Sequence, residues 1–231
     1  MIDRKEVNRV QQFHGHMCPG LAMGIRAAEI ALDQIGPHAG DEEVVAVVET
    51  DMCGVDAIQV LTGCTFGKGN LVHRDYGKNA YSFFRRSDGK AIRVITKPKG
   101  WGERDPHWEG LFAKVREGSA TEEERQEFGR RHLARAERLL AAPIEDLYDV
   151  VEISTPMPRK ARIHKSLRCT DCGESTMETR IRLFNGNYLC EPCFQNETGG
   201  RLLLASPRRL ERDLAGGTNG RGSLLSPTSV L

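Results

Sequence analysis

Four cysteines in the last third of the chain, Cys169, Cys172, Cys190 and Cys193, constrain the fold more than any other feature. They form two C-x-x-C pairs separated by residues 173–189, and each pair can bring two thiolates to about 2.3 Å from one ion. Together they complete a closed tetrahedral shell, so the metal expected here is a structural zinc that holds a small module together. The surroundings suit a knuckle: Cys172-Gly173 offers a turn, and Asn185-Gly186-Asn187 reads as a hairpin turn. A redox C-x-x-C or ordinary buried thiols are the alternatives, and two correctly spaced pairs in a polar segment fit them less well.

The remaining thiols, Cys18, Cys53 and Cys64, lie in the first third and bring the total to 7. An odd number excludes a complete disulfide framework. No hydrophobic export segment follows Met1-Ile2-Asp3-Arg4-Lys5-Glu6, and the longest apolar run, Val44 to Val48, is far too short to span a bilayer. The expectation is a cytoplasmic chain with reduced thiols and no membrane contact. With 39% hydrophobic residues it can bury a real core. Its 33 Lys+Arg against 32 Asp+Glu give no global charge signal for nucleic acid, and 6% aromatics make a base-stacking surface a poor reading.

Periodicity divides the chain into regions. Leu21, Ile25, Ala28, Leu32 and Ile35 mark one face of a helix stopped by Gly36-Pro37. The valine-rich run 43–49 predicts a buried strand, and Asp51 is placed to cap a short helix through Val55, Ile58 and Leu61, ended by Gly63. Runs 79–86 and 91–96 predict a hairpin across Ser87-Asp88-Gly89. Thr121 and Glu124 match a capping box that opens a charged helix to about Ala142, and 149–154 reads as a last strand. Helices and hairpins mix without strict alternation, so the fold class is α+β, with a mixed or antiparallel sheet and packed helices. The organisation read is a core at 1–155, a basic linker at 156–164, a four-cysteine module at 165–200 and a disordered tail at 201–231.

Candidate chemistry sits between residues 13 and 80. His14-Gly15-His16-Met17-Cys18-Pro19-Gly20 is dense in ligand and nucleophile side chains. In an extended segment His14 and His16 face the same way. Pro19 suits the first position of the following helix, which puts Cys18 at its N-cap, where the helix dipole favours the thiolate. Asp51-Met52-Cys53-Gly54-Val55-Asp56 offers a second thiol between two carboxylates. The functional reading joins His16, Cys18 and Cys53 in one pocket around a transition metal or a reactive thiolate, with Asp56 moving protons or orienting a histidine. The plain reading makes the thiols apolar filler and the histidines incidental. The loop holding Cys64, Thr62-Gly63-Cys64-Thr65-Phe66-Gly67-Lys68-Gly69-Asn70, has the wrong spacing for a P-loop, which excludes nucleotide hydrolysis by that motif.

Three blocks together, Phe13 to Gly20, Cys53 to Gln59 and Thr62 to Leu71, followed by Asp75-Tyr76-Gly77-Lys78, resemble the FmdE family, proteins similar to the FmdE component of formylmethanofuran dehydrogenase. The resemblance covers about 1–155. It implies an α+β core that forms a homodimer, often followed by a treble-clef zinc finger, and the four-cysteine segment also resembles the DksA/TraR type. It implies a site lined by His16, Cys18 and Cys53, with His14, Asp56 and Cys64 close by, and with Cys18, Cys53 and Asp56 as the catalytic candidates. It implies association with a larger molybdenum or tungsten enzyme of one-carbon metabolism. The chain has no cluster-binding cysteine run of ferredoxin spacing, so the expected role is an accessory or small subunit, oxidoreductase-associated rather than a complete oxidoreductase. The competing expectation is a dimeric adaptor without catalysis, whose finger contacts a protein or, less readily, a nucleic acid.

Overall fold

The computed structural model describes residues 2–102 and 105–199. The tail expected at 201–231 lies outside the described residues. The chain divides into two compact units, Met1–Ala161 and Arg162–Leu231.

The first unit opens with α1 (Arg4–His14), capped by the Asp3 carboxylate, which accepts from Glu6 N at 2.8 Å, and ended by Gly15 at φ +94°. Next comes α2 (Pro19–Gln34), with Pro19 in its first turn and Cys18 as N-cap. This helix is apolar on more than one side: Leu21, Ile25 and Ala28 are each at most 1% exposed. It therefore runs through the interior, packed against both α3 (Gly54–Thr62) and α5 (Glu122–Ala141).

Between α2 and α3 lies β1 (Val44–Val48), buried along its whole length. Val44, Ala46 and Val48 face the helices, whereas Val45 and Val47 join Phe84 and Ala91 in a second cluster on the opposite face. A strand buried on both faces reads as an unbroken valine run, which is why no alternation shows in the sequence. α3 carries the chain over to β2 (Leu71–His73), which runs parallel to β1 with Ala46 opposite Leu71. β3 (Ala80–Arg85) and β4 (Ala91–Thr96) form the expected hairpin, antiparallel, with Phe84 opposite Ala91. Its turn is fastened by the Asp88 carboxylate, which accepts from Arg85 Nε at 2.9 Å.

The helical hairpin α4 (Pro106–Glu117) and α5 follows, with Asp105 capping α4. The capping box of α5 is complete: Glu124 N donates to Thr121 Oγ1 at 3.3 Å and Thr121 N to the Glu124 carboxylate at 3.0 Å. A single turn, α6 (Ile144–Leu147), leads into β5 (Tyr148–Glu152), so the sheet order is β2-β1-β3-β4-β5. Tyr148 Oη donates to Met23 O at 2.6 Å and ties β5 to α2. This is a mixed α+β fold, as the sequence indicated.

Residues 154–161, beyond the last strand, stay on the core unit: Met157 packs on the outer sheet cluster, and Arg86 Nη1 donates to Pro158 O at 3.1 Å.

The second unit is two short hairpins and a helix. β6 (Ser166–Arg168) pairs with β7 (Ser175–Met177), and β8 (Arg182–Phe184) with β9 (Asn187–Leu189), before α7 (Glu191–Glu197). Asn185 (φ 48°) and Gly186 (φ +79°) form the β8–β9 turn, both left-handed as a tight two-residue hairpin requires.

Candidate metal centres

Helix α1 ends at His14, so residues 14–18 are not the extended segment expected: Gly15 turns the chain left-handed directly after the helix. That turn still brings His16 back over His14, with ring centroids 4.7 Å apart. Cys18 follows at the N-cap of α2, where its Sγ accepts from Leu21 N at 3.3 Å. Donor atoms of His14, His16 and Cys18 all lie within 4.8 Å of one another. His14 Nε2 is 3.9 Å from Cys18 Sγ, and its Nδ1 is bonded to Asp56 Oδ2 at 2.7 Å. Burial is graded across the group: Cys18 is buried, His14 half-buried and His16 exposed, so the group opens to solvent on one side.

Asp56 comes from the first turn of α3, and Cys53 is the N-cap of that helix without any side-chain cap bond. Asp51 does not cap α3, because the helix begins later than its position allows. Two glycines let α2 and α3 approach closely enough for this. A Cβ on Gly24 would lie 2.3 Å from Gly54 O, so the helices touch backbone to backbone. A Cβ on Gly20 would lie 3.2 Å from Cys53 Cβ, 3.7 Å from Cys53 Sγ and 3.9 Å from Cys18 Sγ. The two thiols therefore border one small glycine-lined space. Cys53 nonetheless falls outside the set of donor atoms that all lie within 4.8 Å of one another, and His14 is inside it.

Cys64 is not brought to this group. It is fully buried, and its Sγ donates to Val44 O at 3.4 Å, beside the buried amide of Asn70. Burial pushes its thiol pKa up, as expected of a packing residue. Sequence reasoning missed Tyr81, whose hydroxyl would lie 2.5 Å from a Cβ on Gly54 and whose buried ring backs the Cys53 end of the site. Strand alternation at β3 places it on the helix side, the one signal that could have found it.

Electrostatics correct the expectation of an activated thiolate. Burial raises the Cys18 thiol to about 11, the Leu21 N–H lowers it less, and the neighbouring Cys53 raises it further. The helix start does not win, because desolvation of the anion outweighs one backbone donor. An Asp56–His14–Cys18 series has the order of a nucleophile relay, but a thiol held protonated, 3.9 Å from its histidine, is a poor nucleophile. It suits a metal, which displaces the thiol proton itself. Two imidazoles and a thiolate match a borderline-soft ion such as zinc, and a carboxylate on the remote nitrogen of a ligand histidine is the usual outer support. Three protein donors leave a coordination position open.

The second unit holds Cys169, Cys172, Cys190 and Cys193, all buried, with sulfurs all within 4.8 Å of one another. Cys172 Sγ and Cys190 Sγ are 3.8 Å apart, and a tetrahedron of about 2.3 Å bonds separates sulfurs by about that distance. The β6–β7 turn supplies the first pair, and the end of β9 with the first turn of α7 supplies the second. Cys190 N donates to Cys169 Sγ at 3.4 Å. Burial pushes the Cys169 thiol upward, but backbone N–H groups, led by that of Cys190, outweigh it and bring it to about 7. Burial raises Cys190 and Cys193. These sulfurs can hold a metal such as zinc in a closed shell.

Among the described residues no helix is long and apolar enough to cross a membrane. A family model described as "FmdE, Molybdenum formylmethanofuran dehydrogenase operon" matches residues 13–149. A protein of Archaeoglobus fulgidus described as a probable S-adenosyl-L-methionine-binding protein is 35% identical over 195 residues, 80% of this chain and 51% of that protein. The chain thus spans about half the length of that curated relative. The fold is similar to the crystal structure of an FmdE-like protein of tungsten formylmethanofuran dehydrogenase from Syntrophus aciditrophicus, with a TM-score of 0.54 at 22% identity, covering 83% of this chain and 91% of that one. The family match takes in most of the α+β core, from the first histidine of the site to the last strand of the sheet, and on that ground the chain belongs to the FmdE family.

Proposed function

We propose that this chain is a metal-binding accessory or small subunit of molybdenum- or tungsten-dependent one-carbon metabolism, working in the cytoplasm as a homodimer. Its core holds one transition-metal ion through His14, His16 and Cys18, with Cys53 at hand as a further thiol. A structural zinc is held by Cys169, Cys172, Cys190 and Cys193. The observation that carries this reading is the trio of donors within 4.8 Å of one another, with Asp56 on the far nitrogen of His14. The core ion keeps an open position for a substrate oxygen or sulfur, which is the difference between a working centre and a closed structural one. Membership of a family described by the formylmethanofuran dehydrogenase operon supports the metabolic setting.

Elemental analysis of the full chain tests it. Two metal equivalents are expected per chain, and Cys18→Ser or His14→Ala should remove one while leaving the other. A wild-type chain with a single equivalent, lost only on Cys172→Ser, would instead support the adaptor reading, in which the finger contacts a partner and the core merely folds. Sedimentation at micromolar concentration checks the dimer. A second reading takes the printed description of the Archaeoglobus relative at its word and gives this chain an S-adenosyl-L-methionine site. Calorimetric titration with that compound, on metal-loaded and Cys18→Ser protein, separates it from the metal reading.

A further inference from the structure

Away from the metal centres, the segment after β4 reads Lys97-Pro98-Lys99-Gly100-Trp101-Gly102. It is pressed onto the start of β5: Lys97 N donates to Leu147 O at 2.9 Å, and a Cβ on Gly100 would lie 2.4 Å from that same carbonyl. Helix α5 faces this segment with Arg135 and, one turn on, Arg138. A cavity of about 530 Å³ lies between them, in the size range of sites for small organic ligands. Its wall is part apolar, from Trp101, Leu139 and Leu147, and part cationic, from Lys99, Arg135 and Arg138.

The Arg135 fork is fixed before any ligand arrives. Its Nη2 donates to Trp101 O at 2.9 Å, and its guanidinium carbon sits 4.7 Å from the centre of the Trp108 ring. Trp108 is itself stacked at 5.9 Å on His132 and at 5.2 Å on Phe112. Among the described residues none of Lys99, Arg135 and Arg138 has an ion-pair partner within 4.0 Å. Of the two carboxylates on the wall, Asp105 is already engaged: it accepts from His107 N, Trp108 N and Arg131, capping α4. Burial, and then the charge of Arg138, hold the Arg135 guanidinium below its ordinary pKa, so the pair repels within a partly desolvated space.

We propose that this cavity binds a small organic molecule carrying an oxyanion, a carboxylate or a phosphate ester, through Arg135 and Arg138, with its apolar body against Trp101 and Leu139. The planar guanidinium matches either anion with paired hydrogen bonds, and a pre-set fork loses little freedom on binding. The apolar wall explains why an organic anion is favoured over a bare ion. This inference does not depend on the metal reading.

Both tryptophans of the chain, Trp101 and Trp108, lie at the cavity or against its arginine, so their fluorescence reports binding directly. The full chain is titrated separately with benzoate and with phenyl phosphate, with sodium chloride matched throughout. Saturable change is expected with at least one, and the one that saturates identifies the group. Arg135→Gln should weaken it by roughly tenfold or more, the loss of a charge-assisted pair. If Arg135→Gln does not fold by circular dichroism, the Lys99→Gln/Arg138→Gln double variant carries the same expectation. No saturation by either compound up to about 10 mM, where binding would be weaker than about 3 kcal/mol, overturns the proposal. Saturation that the folded variant leaves unchanged also overturns it.

Discussion

Asp56 Oδ2 and His14 Nδ1 stand 2.7 Å apart, and this bond decides which nitrogen of His14 meets Cys18. With Nδ1 committed to the carboxylate, Nε2 carries the free lone pair and faces the sulfur at 3.9 Å. The carboxylate also makes the ring a more basic ligand. Asp56→Asn keeps the size of the side chain but removes its charge, so core metal affinity should fall about 10–100-fold. Competition against a chromophoric chelator measures this, and a fall below about twofold would show that Asp56 merely fills space.

The contact of Gly24 with Gly54 makes a second prediction. Gly24→Ala drives a methyl group to within 2.3 Å of a backbone carbonyl oxygen, which no rotamer change can relieve. The helices must part, at a cost of about 1–3 kcal/mol or more. Urea unfolding should show that loss, and metal content should show the core equivalent leaving with it. A Gly40→Ala control, where nothing lies within 4 Å of the added methyl, should change neither.

Removal of metal from the second unit should act locally. Cys172→Ser lowers the metal content by one per chain. Chelation of the wild type should open the amide protons of residues 165–195 to exchange while those of β1 and β3 stay protected, because a small metal module draws its folding free energy from the ion. Retained protection in the chelated module would show that its apolar contacts suffice.

Cys18 sets a pH dependence in the metal-free protein. Its pKa is raised from 9.0 to about 11 by burial, so the folded chain favours the protonated thiol. The stability this contributes is present below pH 9 and is lost as pH rises through about 11. The metal-free wild type should therefore lose stability across that interval more steeply than Cys18→Ser. Iodoacetamide at pH 8 should modify Cys18 more slowly than a free cysteine peptide. Rapid alkylation at pH 8 would contradict the burial.

Much of this was legible in sequence wherever one local rule decided the outcome. The α5 capping box, the Ser87-Asp88-Gly89 turn, the Asn185-Gly186 turn and the four cysteine positions each carry their own signal. What failed was decided by tertiary contact. Helices α1 and α4 each bury a single residue completely, Val10 and Leu111, so no apolar stripe announces them. The three residues of β2 take their strand from pairing with β1. The inclusion of His14 in the tight donor set depends on α1 ending where it does and on α3 delivering Asp56, neither of which spacing can give. The Cys18 pKa went the other way because the N-cap position is visible in sequence and the burial around it is not.

The backbone contact at Gly24 and Gly54 also fixes the gauge of the core centre. Side-chain packing between helices can be loosened or tightened in small steps, but two main chains already in touch have no finer setting. The distance between the α2 and α3 ends of the site therefore cannot drift gradually through exchange of neighbouring residues. A different ion or a different reactivity would have to come from replacing a donor, while the jig that spaces the donors stays the same.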